Sequence, residues 1–159
     1  MKPLSGKINV DDNDISTFLD NWQKNIGYVS QNVFLLDDTI KNNIALGVDE
    51  ENFDKNLFKK CLKDTSLDGF VSDLFDKENT FIGENGTRIS GGQKQRIGIA
   101  RALYFKPSLL IFDESTNALD EQTEKQIIQT IKNLGKDITI ILISHKVELL
   151  DICDMKIKM

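Results

Sequence analysis

"PSLLIFDESTNALDEQTEKQIIQTIKNLGKDITIILISH", residues 107–145, decides the fold. It holds two apolar runs, "SLLIF" (108–112) and "ITIILIS" (138–144), separated by the polar stretch "EQTEKQIIQTIKNLG" (121–135). In that stretch Ile127, Ile128, Ile131 and Leu134 fall on one face of a helix, and Gly135 supplies a C-terminal stop. Neither apolar run alternates with polar residues, which predicts parallel strands covered on both faces. A strand, a crossover helix and a strand of these lengths form a right-handed βαβ unit. The first strand then ends in Asp113 and Glu114 and the second in Ser144 and His145, the only histidine of the chain. Parallel neighbours end on the same side, so Asp113, Glu114 and His145 meet at one sheet edge, where open α/β sheets bind ligands.

Immediately upstream, "RISGGQKQRIGIARAL" (88–103) opens a helix. Ser90 followed three residues later by Gln93 fits a capping box. Gly91 and Gly92 strip the first turn of side chains, so an anion can approach exposed amides at the positive end of the helix dipole. Two glycines in a first turn each cost about 1 kcal/mol of helix stability, which an ordinary cap does not require. Residues 38–105 read as mostly helical: "FDKNLFKKCLKD" (53–64) places Phe53, Leu57, Phe58, Cys61 and Leu62 on one face, and "GFVSDLF" (69–75) continues in short helical pieces. Before them "NIGYVSQ" (25–31) reads as a short buried strand ending at Gln31, and "GKINVDDNDI" (6–15) as one short strand and a turn.

The 159 residues are 40% hydrophobic and 28% charged, enough for one globular core, and the formal net charge of −5 gives no footprint for nucleic acid or an anionic membrane. An anion must therefore be held locally. Cys61 and Cys153 are too few and too far apart for a disulfide framework and read as buried thiols in a reduced compartment. No apolar run approaches the roughly 20 residues that span a bilayer.

The chemistry of the strand ends follows from oxygen and nitrogen donors. A strand-end carboxylate such as Asp113 suits Mg²⁺, which takes one or two protein oxygens and completes its shell from phosphate and water. A second acid beside it, Glu114, can polarise an attacking water. The bland alternatives are a polar strand end, an ordinary capped helix and a surface histidine.

Taken in order, "GYVSQ" (27–31), "ISGGQ" (89–93), "LLIFDE" (109–114), "NALD" (117–120) and "SH" (144–145) resemble the nucleotide-binding domain of ATP-binding cassette (ABC) proteins. The resemblance implies a P-loop NTPase-type parallel α/β core with an inserted helical subdomain: core residues 1–37, a helical subdomain 38–105, and core residues 106–159. It implies that Gln31 is the Q-loop residue that reaches Mg²⁺ and the attacking water, and that Ser90, Gly91, Gly92 and Gln93 form the signature motif acting in trans on a γ-phosphate. By the same resemblance Asp113 is the magnesium ligand, Glu114 the catalytic base, Asp120 an acid at the dimer interface and His145 the switch histidine. Glu84 in "GENG" (83–86) resembles the loop with which exporters touch their membrane domains. "NVFLLDDTIKNNIALG" (32–47) is similar to the matching segment of exporters of lipids, lipid-linked sugars and peptides. ATP and Mg²⁺ are the implied cofactors. The implied partners are membrane-spanning domains and a second nucleotide-binding domain packed head to tail, at the cytoplasmic face of the plasma membrane, with no nucleic acid.

One family element has no counterpart. G-x-x-x-x-G-K-[ST] places amides and a lysine on the phosphates, whereas "PLSGKINV" (3–10) has Met1 where the first glycine belongs and Ile8 after Lys7. The resemblance therefore implies a partial domain, beginning after the phosphate loop and ending at "CDMKIKM" (153–159) before the usual last strand. A missing central strand predicts an exposed sheet edge, uncovered apolar surface and a monomer inclined to aggregate. The alternatives are an inert remnant, a non-catalytic subunit that only donates its signature, and a DNA-maintenance ATPase, which would need long heptad segments that are absent between Gln31 and Ser90.

Overall fold

A computed structural model describes residues 5–115, 121–134 and 138–158, without the side chains of 123, 147 and 148. Gly135 lies outside the described residues. The chain begins with a two-stranded hairpin, β1 (Asn9–Val10) against β2 (Asn13–Asp14), where one strand and a turn were expected. Asp11 and Asp12, at φ +48° and +65°, turn it tightly enough for the chain to fold back on itself. Then follow α1 (Leu19–Lys24), β3 (Ile26–Val29), α2 (Ile40–Ile44), α3 (Lys55–Asp64), α4 (Asp68–Asp73), α5 (Gly91–Tyr104), β4 (Leu109–Asp113), α6 (Glu121–Asn133), β5 (Thr139–Ile143) and α7 (Val147–Leu150). The three longer strands form a parallel sheet in the order β3-β4-β5. The fold is therefore α/β, built on a parallel sheet with helices packed against it.

Local chemistry sets the helices. Thr39 caps α2 by accepting from the Asn42 amide, and Asp54 caps α3 by accepting from the amides of Asn56 and Leu57. Phe58, Cys61 and Leu62 of α3 are buried, with Phe53 and Leu57 packed on the same core. On α6 Ile127 and Ile131 are buried in that core and Leu134 packs against it.

The sheet departs from the expectation that both its faces are covered. Val29, Leu110 and Phe112 share one face and are buried with residues of α5 and α6. On the opposite face Tyr28 is 57% exposed, Ile141 45% and Ile143 39%. The described residues cover only one side, so a continuous apolar run acquires the alternating burial of a half-covered sheet.

Helix α5 occupies the centre. Ile97, Gly98, Ile99, Ala100, Ala102, Leu103 and Tyr104 are all buried. At Gly98 a Cβ would stand 2.7 Å and 2.9 Å from the two Val33 methyls, so the helix meets the segment after β3 at backbone distance. Three residues on, the Arg101 guanidinium donates from Nε to the Asn43 carbonyl (2.7 Å), from Nη1 to the Phe34 carbonyl (2.9 Å) and from Nη2 to Asn43 Oδ1 (3.2 Å). Asn43 is fully buried and in turn accepts from the Leu36 amide and donates to the carbonyls of Leu36 and Thr39. Arg96 donates to the Ser66 carbonyl and to Gln126 of α6.

Two outcomes test this packing. In an open helix Gly→Ala gains up to about 1 kcal/mol, but at Gly98 the branched Val33 cannot swing aside, so Gly98→Ala is expected to lose about 1–3 kcal/mol. Urea denaturation of Gly98→Ala, and of its double with Val33→Ala, should show the loss and its partial recovery. Burial pushes the Cys61 thiol up to about 12, which leaves on the order of one thiolate in 10⁴ at pH 8. Iodoacetamide at that pH should label half-buried Cys153 and spare Cys61 until the chain unfolds; equal labelling would contradict the packing of α3.

Candidate nucleotide site

The parallel register brings the strand ends together. Phe112 of β4 lies opposite Val29 of β3 and Leu142 of β5, so Gln31, Asp113, Glu114 and His145 all follow the same ends of three adjacent strands. Glu114 sits at φ +46°, a left-handed conformation rarely adopted by a residue with a long side chain, and its amide donates to the Ile143 carbonyl (3.0 Å). This turn ties the end of β4 to the end of β5. It places Glu114 Oε1 2.8 Å from His145 Nε2. The pair is asymmetric: the histidine side chain is 87% exposed and the glutamate 27%. Behind it the Lys146 amide donates to Ser144 Oγ (3.0 Å), and Lys146 Nζ pairs with Glu124 of α6 (2.7 Å).

Asp113 has a partner that the sequence did not announce. The Tyr28 hydroxyl on β3 donates to Asp113 Oδ2 at 2.5 Å. That bond holds the phenol above its ordinary range, because ionising it would set an anion against the carboxylate. Asp113 Oδ1 has no hydrogen-bond partner among the described residues, nor has the exposed Gln31 side chain. Among the described residues no three His, Cys, Asp or Glu side chains gather as a metal cage. A lone strand-end carboxylate with one unengaged oxygen fits an ion that takes most of its shell from phosphate and water, as Mg²⁺ does.

The helix start forms as the spacing predicts. Ser90, with φ −70° and ψ 160°, caps α5: its Oγ accepts from the Gln93 amide (3.2 Å), and Gln93 Oε1 accepts from the Ser90 amide (2.8 Å). The Lys94 amide donates to the Ser90 carbonyl (2.9 Å). Of the four first-turn donors that every helix leaves unsatisfied, those of Gly91 and Gly92 find no acceptor among the described residues. A Cβ on Gly91 would meet nothing within 4 Å, so the chain's own packing does not demand a glycine there. Glu84 lies in the adjoining loop, where Gly83, Asn85 and Gly86 all have positive φ. Lys94 Nζ anchors that loop through the Asn85 carbonyl and Oδ1, both at 3.0 Å. Lys94 and Tyr28 are the site residues that sequence reasoning missed. Their partners come from tertiary placement, which no spacing encodes.

Helix start and strand ends are separate: no hydrogen bond or ion pair among the described residues joins Ser90, Gly91, Gly92 or Gln93 to Gln31, Asp113, Glu114 or His145. Asp120 lies outside the described residues.

The family model described as ABC transporter matches residues 1–117. An ATP-dependent lipid A-core flippase of Francisella tularensis subsp. holarctica (strain OSU18) is 43% identical over 136 residues, covering 86% of this chain and 22% of the relative. An ABC-type transporter MDR1 of Aureobasidium melanogenum is 36% identical over 154 residues, covering 96% and 11%. ABC transporter B family member 14 of Arabidopsis thaliana is 41% identical over 146 residues, covering 91% and 12%. Among solved structures, a bacterial Atm1-family ABC exporter with ATP bound superposes with a TM-score of 0.80 at 34% identity, over 94% of this chain and 26% of that one. The chain thus spans about a fifth or less of the curated relatives it matches.

The open position at Gly91 separates stability from function. Gly91→Ala should leave stability unchanged or raise it by a few tenths to about 1 kcal/mol, while Ser90→Ala should lower it by about 1 kcal/mol through loss of the cap. Urea denaturation of the two variants checks the pair; a destabilising Gly91→Ala would show that the glycine serves packing.

Proposed function

The chain belongs to the ABC transporter family, and we propose that residues 1–159 are part of the ATP-binding, ATP-hydrolysing motor domain of an exporter. Family membership carries ATP binding with it. The exporter branch is supported by the lipid flippase among the relatives and by the likeness to the Atm1-family exporter. On this reading the cargo is a lipid, a lipid-linked saccharide or a peptide, moved by membrane-spanning domains. Among the described residues no helix is long and apolar enough to cross a membrane. The chain works at the cytoplasmic side of the membrane, docked on those domains and facing a second nucleotide-binding domain. Residues 1–37 and 106–159 form its core and 38–105 its helical subdomain.

The observation that carries the proposal is the helix start at Ser90: capped, free of side chains, and presenting two unclaimed amides to an anion. Ser90, Gly91, Gly92 and Gln93 close on the terminal phosphate of a nucleotide held by the partner domain. At the strand ends Glu114 draws a proton from the attacking water, and His145, 2.8 Å away, holds that carboxylate and faces the phosphate. Asp113 and Gln31 would hold Mg²⁺, with Tyr28 fixing the carboxylate from β3. A bound Mg²⁺ would supply positive charge against the negative charge that develops on the phosphate. Asp120 contacts the partner domain, and Glu84 the membrane domains.

Each composite site needs a phosphate loop from one domain and a signature from the other, and residues 1–159 contain no G-x-x-x-x-G-K-[ST]. Two copies of this chain in two-fold symmetry cannot supply what both lack. We expect no ATPase turnover by the purified chain and no micromolar ATP affinity by calorimetry. Mixed with a complete nucleotide-binding domain, the chain should complete one site of two. Ser90→Arg should abolish that activity, since one lost transition-state contact costs about 10²- to 10³-fold, whereas Glu114→Gln should change it little. Turnover by this chain alone that vanished with Glu114→Gln would overturn the proposal.

A further inference from the structure

A concavity elsewhere on the chain shares no lining residue with the strand ends or the helix start. Between α3 and α4 a cavity of about 330 Å³ has an apolar floor made by Phe58, Leu62 and Val71. That volume is at the lower end of pockets that enclose small organic ligands. Its rim carries Lys55, Lys59 and Lys63 from α3 and Lys77 from the turn after α4. Two acids, Asp68 and Glu78, also reach the rim, which leaves a surplus of positive charge in a protein whose formal net charge is −5.

Helix energetics make this arrangement unusual for a purely solvated face. Lys55, Lys59 and Lys63 follow one another at four-residue spacing, where like charges oppose helix formation. Lys55 is also the first residue of α3, at the positive end of its dipole. None of the four lysines has an ion-pair or hydrogen-bond partner among the described residues, although Asp68 and Glu78 share the rim. An anion on the rim would relieve the repulsion along α3, and an apolar tail would fill the floor. The hydrocarbon stems of the lysines would line its path.

We propose that this cavity binds a single-chain amphiphile with an anionic head, such as a medium-chain carboxylate, with the chain against Phe58, Leu62 and Val71 and the head among the lysines. Charge complementarity selects the head, and the apolar floor selects the tail. The test is titration of the uniformly ¹⁵N-labelled 159-residue chain with decanoate below its micellar concentration, followed by amide shifts. Saturable shifts confined to α3, α4 and the turn to Glu78 are expected. Decanol should bind at least about tenfold more weakly, because it keeps the chain and loses the charge. Lys59→Glu combined with Lys63→Glu should weaken decanoate by a similar factor, Lys158→Glu should not, and Ser72→Trp, which closes the cavity from its rim, should block binding. Equal binding of decanol, indifference to the charge reversals, shifts centred on Tyr28, Ile141 and Ile143, or capture only of an acidic amphipathic peptide would each overturn the proposal.

Discussion

Everything at the candidate site depends on one helix being buried at one end and open at the other. From Ile97 onward α5 is enclosed on nearly every side, so it cannot shift without opening the core. Its first turn, Ser90 and Gly91, is exposed. The enclosure is enforced by two contacts with the segment that follows Gln31: Val33 lies against the bare backbone of Gly98, and Arg101 grips the Phe34 carbonyl and the Asn43 hub. Removing the guanidinium would take the donor from the buried Asn43 carbonyl, at about 1–3 kcal/mol. The position of Gln31 is thereby slaved to the helix that begins at Ser90. Two parts of the candidate machinery far apart in sequence share one rigid support.

The sheet contributes the second constraint, which is register. A parallel ladder fixes which residues stand side by side, and a slip of one position would turn Asp113 to the opposite face. Glu114 needs more than register. Its left-handed backbone and its amide bond to Ile143 bend the chain so that its carboxylate meets His145 instead of continuing the strand direction. Such a conformation costs of order 1–3 kcal/mol and persists only where its surroundings impose it. Strain at a residue with a proposed proton-transfer role is what a preorganised site requires.

Features carried by short-range chemistry could be read from the sequence. Ser90 and Gln93 are three residues apart, so the capping box is local and forms as written. Helices α3 and α6 turn the apolar stripes that their periodicity marks toward the core, because a 3.6-residue repeat needs only something apolar to face, although Ile128 of α6 stays half-buried and outside that core. The strand ends were legible for the same reason: an apolar run closed by acids or by Ser-His defines its own polarity. Tyr28 and Asp113 meet across a parallel ladder from positions 85 residues apart, and Arg101 reaches residues 58 and 67 positions away. Such pairs exist only once the tertiary frame is built. Coverage of the sheet failed for another reason: an apolar run states what a strand can bury, and Ile141 and Ile143 show that the described residues supply cover for one face alone.

Two of the three glycines of α5 argue about function from opposite directions. Gly98 is crowded, and its lack of a side chain is explained by Val33. Gly91 faces open space, so nothing within the chain explains it. What the helix start can hold is set by the donors left over. Ser90 already satisfies the Gln93 and Lys94 amides, and Lys94 Nζ is committed to Asn85, which leaves two amides and the dipole. The dipole supplies about 0.3–1 kcal/mol at an exposed helix end, and hydrogen bonds to a charged group about 1.5–3 kcal/mol each. Association itself costs at least about 4 kcal/mol. The difference amounts to millimolar binding at best. A helix start of this kind is too weak to recruit a free anion and strong enough to discriminate one that another surface already holds. Such weakness agrees with the proposed role, in which a partner domain holds the anion.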